Sequence, residues 1–318
     1  SGINVNKLSV KSSKSIKYIN ADMIRLDAFP WDIVEKKKGV YDYKVPDAAV
    51  SWARKNELNI LGIIQYAPSW ANGRYFKTPD SVPGCGIPDL ENFSTNYNKL
   101  RTYPPLNPED FGKYASEIAK RYPDIMYWQI WNEPNNPIFW PSGPNAEEYA
   151  KLLKAGYYGV KDGNPKAQVV LGGISLNDFK YLRKLYEAET KYYFDKMAIH
   201  LYNPLMSPKE YLANEINDLH KLMDVYDDGK KEIWLTEIGW YTGAGAGSVA
   251  EEQQAQNMQE LYDIVRANKY VGAVFWHTLM DCDVKRDASN PEHNYGIFKG
   301  NLEPKKAAKV MRGVLLTK

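Results

Sequence analysis

The sequence predicts an α/β protein, a single (β/α)8 barrel spanning 1–318 with long loops after strands three and eight. Eight short apolar runs recur along the chain, and segments with helical periodicity separate them. This alternation continues to the last residues without a composition break or a Gly/Ser linker. Such a pattern favours one closed parallel barrel over two domains or a doubly wound sheet, although 318 residues would allow two domains by length.

The expected strands are Ile3 to Lys7, Met23 to Phe29, Leu58 to Gln65, Ile125 to Trp131, Val169 to Ile174, Met197 to Tyr202, Glu232 to Ile238 and Val271 to Thr278. Between them lie helix signals. Asn107-Pro108 precedes Phe111, Tyr114, Ala115, Ile118 and Ala119, a one-face stripe with proline where its missing N–H costs nothing. Ser207-Pro208-Lys209-Glu210 and Ser248-Val249-Ala250-Glu251 both read as capping boxes. The last helix carries Ala307, Val310, Met311 and Val314 on one stripe. Two connections exceed a plain turn: Ala67 to Leu106 after strand three and Leu279 to Ile297 after strand eight. Both leave carboxyl ends of strands, the face on which barrels build sites.

Composition narrows the function. Lys+Arg number 41 against 39 Asp+Glu, a net +2 with no basic stripe, which argues against a nucleic-acid partner. No apolar stretch approaches the ~18 residues of a membrane span. The four histidines have no metal-ligand spacing, so neither a metal nor another cofactor is expected. Cys85 and Cys282 can pair or stay free, and free thiols are the expectation. Ser1-Gly2 reads as an expression remnant with no signal segment after it. Aromatic residues make up 13% of the chain, more flat amphipathic surface than a core requires and suited to holding sugar rings or bases.

The chemistry concentrates at two strand ends. Tyr127-Trp128-Gln129-Ile130 runs into Trp131-Asn132-Glu133-Pro134-Asn135, where proline cannot extend a sheet and biases Glu133 to an extended conformation at the tip. Glu237 ends a second β-prone run, Glu232 to Gly239-Trp240, three strands later. Tips of strands four and seven face each other across a barrel mouth, so two carboxyl groups can flank one bond of a ligand. Glycoside hydrolysis needs such a pair, ~5–5.5 Å apart for retention and ~6.5–9.5 Å for inversion. Either glutamate alone reads as a solvated strand end.

These residues carry a resemblance. Trp-Asn-Glu-Pro-Asn at 131–135 and Thr-Glu-Ile-Gly-Trp at 236–240 resemble the signature of clan-A retaining glycoside hydrolases. Arg25-Leu26-Asp27 followed by Trp31, Glu35, Gly39 and Tyr41-Asp42-Tyr43 is most similar to glycoside hydrolase family 39, and the likeness spans essentially the whole chain. The resemblance implies Glu133 as general acid/base, Glu237 as nucleophile and Asn132 as a contact to the sugar 2-hydroxyl. It implies that Arg25 and Tyr202 hold Glu237 ionised, with His200 beside them, and that Trp276 lies under the reacting ring. Glu237 is then expected to have a lowered pKa, and Glu133, near aromatic walls, a raised one. Trp31, Trp70, Trp140 and Trp240 follow strand ends and are further stacking candidates, of which about half are expected to touch ligand.

Family 39 xylosidases carry an accessory β-sandwich that this chain does not show. The expectation is an endo-acting monomer, secreted or at the cell surface, that cleaves a neutral or weakly charged β-linked polysaccharide or oligosaccharide. An exo-acting β-glycosidase, a transglycosylase and a non-catalytic carbohydrate-binding barrel are the alternatives.

Overall fold

Eight parallel strands form in the predicted order in the computed structural model, which describes residues 1–5, 8–79, 96–282 and 286–316. They are β1 (Gly2–Asn4), β2 (Met23–Pro30), β3 (Asn59–Gln65), β4 (Tyr127–Ile130), β5 in two pieces (Gln168–Val170 and Ile174–Ser175), β6 (Met197–His200), β7 (Ile233–Ile238) and β8 (Val271–Trp276). β1 pairs with both β2 and β8, and the ladder otherwise runs between sequence neighbours. The two pieces of β5 stand at opposite ends of that ladder. Because Val170 bridges Lys196 and Ile174 pairs with Ile199, the break at 171–173 is where the sheet closes on itself.

β5 breaks there for a local reason. The amide of Gly172 donates to the Tyr149 hydroxyl, which donates in turn to the carbonyl of Ile130, so one buried tyrosine from the Ala146–Gly163 helix ties β4 to β5. That helix lies backbone to backbone on the Pro108–Arg121 helix: a Cβ on Gly159 would sit 2.1 Å from the carbonyl oxygen of Gly112. Glycine at 159 allows this approach, which packs the layer behind β4.

The strands are short, and buried side chains fill the barrel, including Ile24, Leu61, Ile130, Val169, Ile199, Leu235 and Phe275. Helix starts follow the sequence signals in most places. Asn107 caps the Pro108–Arg121 helix, and Ser207 with Glu210 forms the capping box of Pro208–Val225. The second expected box does not form. The Glu251–Ala267 helix begins after Ala250 without a side-chain cap, because Ser248 lies two residues too early.

Lys7, expected at the end of β1, and residues 80–95 of the connection after β3 lie outside the described residues. Cys282 is disulfide-bonded, which corrects the expectation of free thiols; the chain's other cysteine, Cys85, lies outside the described residues. No helix among the described residues is long and apolar enough to cross a membrane.

Candidate active site

The site stands at the carboxyl mouth, where β2, β4, β6 and β7 end. Strand register does part of the positioning. Asn4 lies opposite Arg25, and His200 opposite Glu237 after an irregularity at Ile199/His200. Arg25 is the hub. Its Nε donates to Gln129 Oε1 at 2.9 Å and its Nη2 to Asn132 Oδ1 at 2.7 Å. Its Nη1 donates to Asn4 Oδ1 at 2.9 Å and to Glu237 Oε1 at 2.6 Å. A guanidinium with every edge engaged cannot swing away, so Glu237 and Asn132 share one rigid frame.

Glu237 also accepts from the Tyr202 hydroxyl at 2.8 Å through Oε2. Burial pushes its pKa up, but the positive charges of His200, Arg25 and His277 and the Tyr202 hydrogen bond outweigh burial and hold it well below the usual carboxylate range. Tyr202 moves the other way: burial and the Glu237 charge raise it, so it stays a hydroxyl donor. His277 is raised as well. Burial opposes its charge, but the Glu292 contact at 3.4 Å and the nearby Glu237 charge prevail.

Glu133 is held differently. The His200 Nδ1 lies 2.7 Å from its Oε1, and the Asn136 amide donates to its Oε2 at 2.7 Å. Both oxygens of this carboxyl thus have a polar partner. Its backbone departs from expectation. Glu133 takes φ 43° and Trp131 φ 68°, both in the left-handed region, instead of the extended form that the following proline favours. The neighbouring strands impose this, because Trp131 N donates to Ile64 O at 2.8 Å and Glu133 N to Gly172 O at 2.7 Å. Strain fixed from both sides in this way turns the side chain into the mouth.

One donor atom from each of Glu133, His200 and Glu237 lies within 4.8 Å of the others. One oxygen of each carboxyl group thus comes within 4.8 Å of the other, as close as the ~5–5.5 Å of retaining pairs and short of the ~6.5–9.5 Å of inverting ones. A metal ion is the other ligand such a triplet suits. Here the Arg25 guanidinium already supplies positive charge to Glu237, and His200 Nδ1 lies against Glu133 Oε1, so the set is engaged internally.

Of the sequence-predicted residues, Arg25, Asn132, Glu133, His200, Tyr202 and Glu237 come together. His200 is fully buried, which makes it a spacer between the carboxyl groups rather than a sugar contact. Four tryptophans require correction. Trp31, Trp140, Trp240 and Trp276 are at most 2% exposed and pack in the core, where no ring face is left for a sugar. Trp31 stacks on Tyr114, Trp140 packs edge-on against Trp131, and Trp276 lies against Trp240. Trp70 alone of the five keeps accessible surface, with the Lys38 ammonium 5.0 Å from its ring. Sequence reasoning missed Asn4, Gln129, Asn136, His277, Glu292 and Tyr295, whose ring lies 5.6 Å from that of Tyr202. Gln129 was the detectable one, a polar residue facing inward from an otherwise apolar strand.

Fold and site together define a parallel α/β barrel with a carboxyl pair at its mouth. Residues 107–309 match the family described as glycosyl hydrolase catalytic core, and the chain belongs to that family. It is 22% identical over 234 residues to a probable arabinogalactan endo-beta-1,4-galactanase A of Aspergillus flavus, covering 67% of this chain and 62% of the relative. The chain therefore spans less than two thirds of that relative's length. A family 39 glycoside hydrolase of Bacteroides cellulosilyticus WH2 superposes with TM-score 0.76 at 21% identity, over 99% of this chain and 62% of that one. Xylanase 10B of Thermotoga maritima superposes with TM-score 0.66 at 14% identity, over 99% and 94%. At these identities the superpositions establish the barrel fold.

Proposed function

We propose that this chain is a retaining glycoside hydrolase of the family 39 type that cleaves β-glycosidic bonds inside a polysaccharide or oligosaccharide. Glu237 attacks the anomeric carbon while Glu133 gives its proton to the leaving oxygen, forming a covalent glycosyl-enzyme. Water then attacks with Glu133 as base. Glu133 takes up the water proton at that stage facing a Glu237 that is uncharged in the ester. Asn132, oriented by Arg25, faces the sugar 2-hydroxyl.

The observation that carries this reading is the carboxyl pair within 4.8 Å, one member held ionised by Arg25 and Tyr202. Family membership supports hydrolysis, and the galactanase relative supports endo action on a β-1,4-linked glycan. The Cys282 disulfide supports an oxidising, extracellular setting. We read residues 1–318 as one catalytic domain that works as a monomer with no nucleic-acid partner. The test is a panel of β-linked polysaccharides, reading product lengths and the anomeric form first released. Internal cleavage with retained configuration is expected; single sugars from chain ends would replace endo with exo action, and inverted products would remove Glu237 as nucleophile.

A further inference from the structure

On the outer wall, a groove of about 720 Å³ runs between the Ala146–Gly163 and Phe179–Glu187 helices. Glu147, Lys151 and Lys154 line one side at helical spacing, and Lys184 and Glu187 line the other. Its upper end touches the acid/base loop: the Tyr181 hydroxyl in its floor donates to the carbonyl of Pro134 at 3.2 Å. Its lower end opens on a cluster of tyrosines. Tyr158 continues the 147, 151, 154 stripe one turn further, about 16 Å along the axis from Glu147. The Tyr158 ring lies 5.8 Å from both Tyr157 and Tyr193, and Tyr193 is itself a groove residue. Tyr158 is 56% exposed and the neighbouring Tyr192 62% exposed.

Two large amphipathic rings left in water beside a long polar groove serve neither the core nor the catalytic mouth. Lysine ammonium groups lie over one of these rings and over its neighbour, Lys191 5.4 Å from Tyr192 and Lys154 5.1 Å from Tyr193, so hydrogen-bond donors are part of the patch. Three lysines and three glutamates line the groove, which leaves no net charge to select a polyanion. We propose that this groove and the Tyr158/Tyr192 patch form a second glycan-binding site for a neutral β-linked polysaccharide chain. Tyrosine faces stack on sugar rings, and the lysine and glutamate side chains hydrogen-bond their hydroxyls. The ligand class rests on the proposed activity, whereas the site itself rests on its own residues.

Native gel electrophoresis of the Glu237→Gln protein through gels containing xylan, β-1,4-galactan, mannan or mixed-linkage β-glucan tests this. At least one polymer is expected to retard the protein, and Tyr158→Ala/Tyr192→Ala in the same background to weaken retardation by about tenfold. Both tyrosines are exposed, so an unchanged melting temperature is expected to accompany the loss. Lys184→Gln, on the opposite wall, weakens it by about threefold. Retardation unaffected by the tyrosine substitutions, or seen with none of these polymers but only in a further gel containing polygalacturonate, overturns the site. A solution dimer that Tyr158→Ala/Tyr192→Ala dissociates also overturns it, since a second copy then covers the patch. Tyrosine-dependent retardation by a chain that, unsubstituted, cleaves none of the β-linked polymers upholds the site while sinking the proposed activity.

Discussion

Two buried ion pairs sit a short way apart at the carboxyl side of the barrel, Arg25–Glu237 at 2.6 Å and Lys305–Asp281 at 2.8 Å. Their carboxyls titrate in opposite directions. Burial raises both, but around Glu237 it meets His200, Arg25, His277 and the Tyr202 hydroxyl, and the sum is a lowered pKa. Asp281, fully enclosed, has Lys305 and the more distant Arg286 against it, and burial prevails. Lys305 is likewise pulled down by burial. The second pair ties loops together: Lys305 Nζ donates to Thr242 Oγ1 after β7 and to Asp281 after β8. An ion pair by itself is therefore no mark of catalysis. What separates the two is the number of donors converging on the carboxyl and an opening to the mouth, where the Glu237 side chain is 14% exposed and that of Asp281 0%.

Substitutions can break or sharpen that contrast. The largest effect is expected from Glu237→Gln, which lowers turnover of any cleaved glycan by at least about 10⁴-fold while the fold persists. Steady-state rates and circular dichroism together check it. The same substitution alters stability against pH. Because folding lowers the pKa of Glu237, its ionised form adds stability above the unfolded carboxylate's value, and this is lost as pH falls through the native value. Unfolding midpoints followed into acid should flatten in the variant. Next comes Glu133→Ala, expected to lose on the order of 10²–10⁴-fold on substrates with poor leaving groups. Azide should restore part of the rate and yield a glycosyl azide; no rescue would place the acid elsewhere.

Lys305→Met belongs to the other pair and should act on stability. Leaving Asp281 buried without its partner costs about 3–5 kcal/mol, read from denaturant unfolding, and Lys305→Met/Asp281→Leu should recover most of it. If Lys305→Met instead reduced kcat as severely as Glu237→Gln with stability intact, the division between the pairs would collapse. The smallest effect is expected from Tyr202→Phe. Losing one hydrogen bond to an ionised carboxylate lowers kcat/KM by about tenfold to a hundredfold. It also raises the Glu237 pKa, so the acid limb of the pH profile moves toward neutrality; an unmoved limb would mean that Tyr202 does not help to hold the charge.

The sequence made the eight strands legible because each is a short apolar run closed by turn chemistry, and a period-two signal is local. It made Glu133 and Glu237 legible because both end such runs. It did not reveal the supporting shell. Asn4 and Gln129 meet through Arg25 although they are far apart in the chain, and nothing in either segment marks the meeting. It also overstated the tryptophans. A tryptophan just past a strand end has the same sequence context whether it caps the core or faces the mouth, and Trp31, Trp140, Trp240 and Trp276 all cap the core.

By itself, then, the order of residues determined the barrel and the strand tips that carry the two carboxyl groups, since periodicity and breakers act over a few neighbours. Only tertiary structure decided that His200 stands between those groups, that Gly173 leaves room for its ring, and that Glu133 is held in a left-handed backbone. Those outcomes depend on strand register and on contacts between segments tens to hundreds of residues apart. Register is set when the sheet closes, so no local stretch of sequence contains it.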